Sequence, residues 1–200
     1  ASEGFLQGCL VADPDFASIN AAIAAANDGD VILIRGTNPD GTQATLTSGT
    51  DFISIDKSIS LVAMAPWQKF LASGTGYSIV IDGTGIVVHL SGLLITGAAS
   101  TDRTGILISE ANTVYMTGCT VNGGLVGLNI VSGGGTIGSV YLTDCQFNPD
   151  SSVGQGALRS VGQGGGVFAT NCTFGQGGRT YYAVNLNNHA TTTLCGHHFT

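Results

Sequence analysis

VHLSGLLI from Val88 to Ile95, VYMTGCTV from Val114 to Val121, VYLTDCQF from Val140 to Phe147 and VFATNCTF from Val167 to Phe174 are one eight-residue phrase written four times. The steps between copies are 26, 26 and 27 residues. A fixed period in segments rich in β-branched and aromatic residues marks a solenoid in which each repeat is one coil. Val88, Val114, Val140 and Val167 share a column with inward-facing Leu90, Met116, Leu142 and Ala169 two residues on, because successive strand side chains alternate faces. The fifth column holds Gly92, Gly118, Asp144 and Asn171, the residue types that accept a left-handed backbone at least cost, so the strand bends there. Beyond the bend, Leu93, Cys119, Cys145 and Cys172 point inward, followed by Ile95, Val121, Phe147 and Phe174.

The reading is all-β: a single-stranded right-handed parallel β-helix of about 26 residues per coil, like stacked on like at about 4.8 Å. Thirty-one glycines and only 10% charged residues suit several tight bends per coil and do not suit a helical bundle. The whole chain, 1–200, reads as one domain: a short N-terminal capping α-helix over 15–27, coils over 28–194 and a tail over 195–200. Asp15 is the expected cap, and Phe16, Ile19, Ala22, Ile23 and Ala26 form one apolar stripe able to close the first coil. VILIRG from Val31, DFISIDKSISLVA from Asp51 and YSIVIDGTGIVVHL from Tyr77 supply the early strands. The polar stretch from Asn38 to Thr50 and the stretch from Ala65 to Gly76, which holds Trp67, break the rhythm and are expected as loops.

A net charge of −7 with six Lys and Arg leaves no cationic cluster for nucleic acid. No apolar run approaches the roughly 20 residues of a membrane span.

The opening helix followed by GDVILIRGT, the strand ending IDKSISLVA, then IDGTGIVVHLSGLLITG and the repeated strand-bend-Cys phrase resemble the right-handed parallel β-helix proteins of the pectin-lyase-like superfamily. Within it, the chain is most similar to small exported bacterial β-helix repeat proteins without an assigned activity. The resemblance runs from Phe16 to Leu194 and rests on coil-building residues. It implies export and raises polysaccharide lyase or glycoside hydrolase chemistry for consideration, which fold by itself does not establish.

A lyase of that kind needs a basic side chain and a calcium-binding acid cluster converging on one sheet. GILIS from Gly105, GLNIV from Gly127, ALRSV from Ala157 and AVNLN from Ala183 form the remaining sheet, with Leu107, Asn129, Arg159 and Asn185 as its outward column. Arg159 is the one cation there, with no carboxylate beside it. A hydrolase needs two carboxyl groups about 5–10 Å apart. Asp82, Asp102, Glu110, Asp144 and Asp150 are available, yet none recurs in register, and several sit in turn contexts. No catalytic residue is assigned.

His89, Tyr115, Tyr141 and Phe168 make an outward column of four rings. Either they stack on one another beneath a return loop or the tail, or they form a contact platform for sugar rings or a second subunit. Ser91, Thr117, Thr143 and Thr170 flank them, as do Leu94, Thr120, Gln146 and Thr173. These hydroxyls and amides serve a polar ligand or are simply solvent-facing strand residues. The array lacks the flat Thr-x-Thr regularity of an ice-binding face.

Cys119, Cys145 and Cys172 read as buried thiols packing as small hydrophobes. Cys9 and Cys195 fall near opposite ends, about six coils or roughly 30 Å apart, so a bridge between them would join two molecules, foot to head. Cys195, His197 and His198, with His189 nearby, form no chelate, because neighbouring strand residues face opposite ways; no metal and no cofactor are read. Asn171-Cys172-Thr173 matches a glycosylation sequon at a bend. A start at ASEGF, without Met or leader features, is expected from a removed leader or trimming, which with the resemblance places the protein outside the cell or at its surface. NNHATTTLCGHHFT offers no cap to the last coil, and an uncapped end favours end-to-end association. The functional expectation is therefore a non-catalytic exported β-helix with a structural or adhesive role, partnering itself in a fibre or surface layer. The alternative is a carbohydrate-active protein, a polysaccharide lyase or glycan binder, using Asn129, Arg159 and Asn185.

Overall fold

The computed structural model describes residues 9–11, 19–34, 45–47, 52–64, 68–71, 76–96, 104–131, 137–149, 156–161, 165–175, 182–187, 192–195 and 198–199. Every strand pairing among them is parallel, and the chain winds as a β-solenoid with three faces. The first face stacks Cys9–Val11, Val31–Ile34, Ser60–Ala63, Val87–Ser91, the second half of Thr104–Thr117, Ile137–Thr143, Val167–Thr170 and Thr192–Cys195. The second runs Thr45–Thr47, Gln68–Leu71, Leu93–Thr96, Thr120–Asn122, Gln146–Asn148, Thr173–Phe174 and His198–Phe199. The third holds Ile53–Ile55, Tyr77–Asp82, the first half of Thr104–Thr117, Val126–Val131, Gly156–Val161 and Val184–Asn187.

Register follows the repeated phrase. Val88, Val114, Val140 and Val167 stand opposite one another, as do Leu90, Met116, Leu142 and Ala169. All eight side chains are buried in one continuous core with Ile95, Val121, Phe147 and Phe174. Within it Phe147 and Phe174 stack at 5.7 Å between ring centroids.

The bend has the predicted chemistry. Gly92, Gly118, Asp144 and Asn171 carry φ values of 66°, 60°, 54° and 52°. Each donates its backbone N–H to the next coil, Gly92 to the Thr117 carbonyl, Gly118 to Thr143, Asp144 to Thr170 and Asn171 to Cys195, so the corners form their own hydrogen-bonded column. The corner into the third face is tight for a different reason. A Cβ at Gly127 would lie 2.7 Å from the carbonyl oxygen of Ala157 in the coil above.

Two stretches expected as loops contain strands. Thr45–Thr47 pairs with Gln68–Leu71, which pairs with Leu93–Thr96 on the second face. Segments of three and four residues are too short for alternation to register in sequence; a neighbouring coil offering free peptide groups recruits them. The helix spans Ile19–Ala25, with Ile19, Ala22 and Ile23 buried, and stops two residues before the expected end at 27; positions 15–18 of the expected range lie outside the described residues. Asp15, Phe16, Trp67, Asp102, Asp150, His189 and His197 lie outside the described residues.

That helix closes the start of the third face by a specific device. Asn20 Nδ2 donates to the carbonyl of Phe52 at 2.8 Å, and the N–H of Ser54 donates to Asn20 Oδ1 at 3.1 Å. In a parallel sheet, one residue of a neighbouring strand bonds the carbonyl of residue i−1 and the amide of residue i+1. The Asn20 side chain makes that pair of bonds around Ile53, in place of a preceding strand. Lys57 Nζ donates to the Ala26 carbonyl at 3.0 Å at the helix C-terminus, where positive charge is favoured. No helix among the described residues is long and apolar enough to cross a membrane.

Candidate functional site

The outward position between Val88 and Leu90 recurs in register through four coils, which brings His89, Tyr115, Tyr141 and Phe168 into one column. Ring centroids are 4.6, 5.0 and 5.0 Å apart, with interplanar angles of 13°, 11° and 15°. The rings stack as one reading anticipated, but they are not covered: Tyr115 and Tyr141 are 38% and 37% exposed, His89 is exposed and Phe168 half-buried. Stacking at this distance fills both faces of Tyr115 and Tyr141, so solvent meets ring edges. Sugar stacking requires an open ring face, and the two central rings offer none.

Beside the ladder, Ser91, Thr117, Thr143 and Thr170 align, and the column ends at Cys195, which is free and exposed. No charged side chain enters either column between Val87 and Thr170. In the other flanking column Thr120 is buried, Leu94 and Thr173 are half-buried and Gln146 is exposed, so it is not a continuous polar strip.

On the third face, Leu107, Asn129, Arg159 and Asn185 pair in the expected register. Asn129 is only 8% exposed although it lies on the outward side of its strand, and its Oδ1 has no hydrogen-bond partner among the described residues. Arg159 is half-buried, and no ion pair or hydrogen bond to it is present among the described residues.

The acids required correction. Asp82 and Glu110 are register partners, because the long strand Thr104–Thr117 shifts by one residue between Ile108 and Glu110. The sequence reading had none of the acids recurring in register; Asp82 and Glu110 do. The Glu110 carboxylate accepts a hydrogen bond from Thr84 Oγ1 at 2.7 Å, and its carbonyl accepts from the N–H of Gly83 at 3.0 Å. Glu110 thus ties down the turn after Asp82. Asp144 accepts from Asn171 Nδ2 at 2.5 Å, tying one bend to the next. Among the described residues no three His, Cys, Asp or Glu side chains are grouped to hold a metal.

Cys119, Cys145 and Cys172 are buried free thiols in one inward column. Cys145 Sγ donates to the Thr143 carbonyl at 3.3 Å, and Cys172 Sγ to that of Thr170 at 3.3 Å. Its hydrogen bond with Cys119, reinforced by burial, pushes the Cys145 thiol up to about 12. Cys172 is also raised, first by its hydrogen bond with Cys145 and then by burial. Cys119 is lowered by its hydrogen bond with Cys145. Buried as it is, the column is unsuited to nucleophilic chemistry, which needs an accessible thiolate.

Cys9 and Cys195 lie on the first and last strands of the first face, seven strand steps or about 34 Å apart. Sequence reasoning missed Asn20 as an edge-closing residue, and also the Asn148 Nδ2 to Asn122 Oδ1 bond of 2.9 Å between coils. The second had a signal: Asn122 and Asn148 stand one period apart.

No protein-family model matches the chain, and neither a curated protein nor a solved structure does.

Proposed function

We propose that this is an exported β-solenoid of the pectin-lyase-like kind with a structural or adhesive role, making contacts through its ring-bearing face and its coil ends. The observation that carries this reading is the ring ladder, exposed along four coils yet with its central ring faces already used by one another. Such a ladder stiffens the stack and presents an uncharged rim of ring edges and hydroxyls. Exposed ring edges beside a Ser/Thr column suit contact with another uncharged surface. Light scattering and electron microscopy over a rising concentration series test the reading. Assembled species are expected; an inert monomer at every concentration sinks it.

A second reading is favoured by one observation, the half-buried Arg159 between Asn129 and Asn185, with no ion pair or hydrogen bond among the described residues. It is glycan binding or lysis on the third face. Retention on a glycan panel, with absorbance of an unsaturated product as the second readout, separates binding from cleavage. Loss of both signals on Arg159→Ala is the outcome this reading requires.

A further inference from the structure

Asn129 alternates with Leu128 and Ile130, which fill the core, so its side chain stands on the outer side of the third face. It is nonetheless only 8% exposed, while Leu107 before it and Arg159 after it in the same column are half-buried. The Oδ1 atom is enclosed and takes no hydrogen bond from the described residues. An amide oxygen withdrawn from water without a donor destabilises the chain that carries it, and native chains keep such an atom where something outside the fold supplies the donor. Arg159 follows one strand step on, about 4.8 Å along the stack. Its guanidinium has donors alone, and no acceptor meets it among the described residues. The two strands read VGLNIV and GALRSV, without an acid in either. One step further stands Asn185, also half-buried.

We infer that Asn129 and Arg159 together bind a hydroxyl group of a neutral sugar, which donates its hydrogen to Asn129 Oδ1 and accepts from the Arg159 guanidinium. A hydroxyl donates and accepts through one oxygen, which is what an unmet acceptor and an unmet donor one strand step apart require. A carboxylate does not fit the pair. At neutral pH it has acceptors alone, so it satisfies Arg159 and sets its oxygens against Asn129 Oδ1. The net charge of −7 opposes an anionic polymer as well. The Asn185 amide, on the far side of Arg159, provides for a second hydroxyl of the same sugar. The inference rests on the glycan reading of this face and narrows it to neutral glycans. It also favours binding over lysis, because eliminative cleavage removes the proton beside a uronate carboxylate.

Titration of the full 200-residue chain with oligosaccharides in matched pairs, each uronate-bearing chain beside its carboxyl-reduced counterpart, tests the inference. The reduced member of a pair should bind about tenfold or more tightly than the acidic one. Asn129→Leu should weaken that binding by about tenfold or more, yet raise the urea midpoint of the free chain, because it removes an enclosed acceptor that has no donor. A residue serving the fold alone would lower the midpoint. In the unsubstituted chain, the side-chain amide resonances of Asn129 should move on adding the reduced sugar, which keeps the test open if Asn129→Leu misfolds. Preference for the acidic members, abolished by Arg159→Ala, would overturn the hydroxyl site and leave the glycan reading standing. Sugar binding undiminished in Asn129→Leu, or a folded Asn129→Leu chain with a lower urea midpoint, would overturn it too. Absence of binding to every pair would sink this inference and the glycan reading together.

Discussion

Asp144 and Asn171 do at the bend what Gly92 and Gly118 do, and they add a side-chain bond that glycine lacks. Their left-handed backbone was legible in sequence because few residue types accept it. The thiol column was legible only as buried; that its members bond to carbonyls and to one another needed coordinates, since thiol direction depends on the rotamer. A pH dependence follows from this. Cys145 is raised from 9.0 to about 12 and Cys172 is raised as well, so the folded chain holds protons that the unfolded chain releases. Their contribution is intact below pH 9 and is lost as pH climbs toward 12. Cys119, lowered, acts in the opposite sense but is one group against two. The urea midpoint should therefore fall between pH 9 and 12, and a Cys145→Ala, Cys172→Ala double variant should flatten that fall. An equally steep fall in the double variant would assign it to other groups.

The elements divide by how periodic they are. Strands within the repeated phrase were readable because each inward residue has a counterpart one coil away, and the third-face column was placed correctly by the same logic. Thr45–Thr47 and Gln68–Leu71 escaped notice because nothing intrinsic to so few residues distinguishes strand from loop. The one-residue shift at Ile108/Glu110 escaped for a related reason: a bulge alters pairing without altering composition. The helix was recognised by its apolar stripe, but the action of Asn20 was invisible, since an amide on a half-buried helix face is ordinary. Asn20→Ala removes two hydrogen bonds at the sheet edge and should destabilise the fold by about 1–3 kcal/mol. Ser54 amide exchange should quicken at the same time. An unchanged Ser54 rate in a folded Asn20→Ala protein would show that the amide does not close the edge.

Across the whole molecule, each coil contacts chiefly the coils before and after it, so stability is approximately a sum of coil and interface contributions. Middle coils have two neighbours, and in the first-face segment of Thr104–Thr117 every inward residue is fully enclosed. Val184 and Leu186 are not. Amide exchange should thus be slowest in Val114–Met116 and Val140–Leu142 and fastest in Val184–Asn187, with intermediate rates near the Asn20-closed edge. Uniform protection along the stack would mean that it unfolds as one unit. The sequence by itself determined the solenoid, its period, its inward columns and its left-handed corners, because those features repeat and repetition is visible in one dimension. The tertiary structure decided which ring surfaces remain exposed, that Asp82 meets Glu110, and that the Asn20 amide closes one end of the third face. Each of these depends on what lies one coil away in space, and a one-residue shift or a single side-chain amide settles it without leaving a period in the chain.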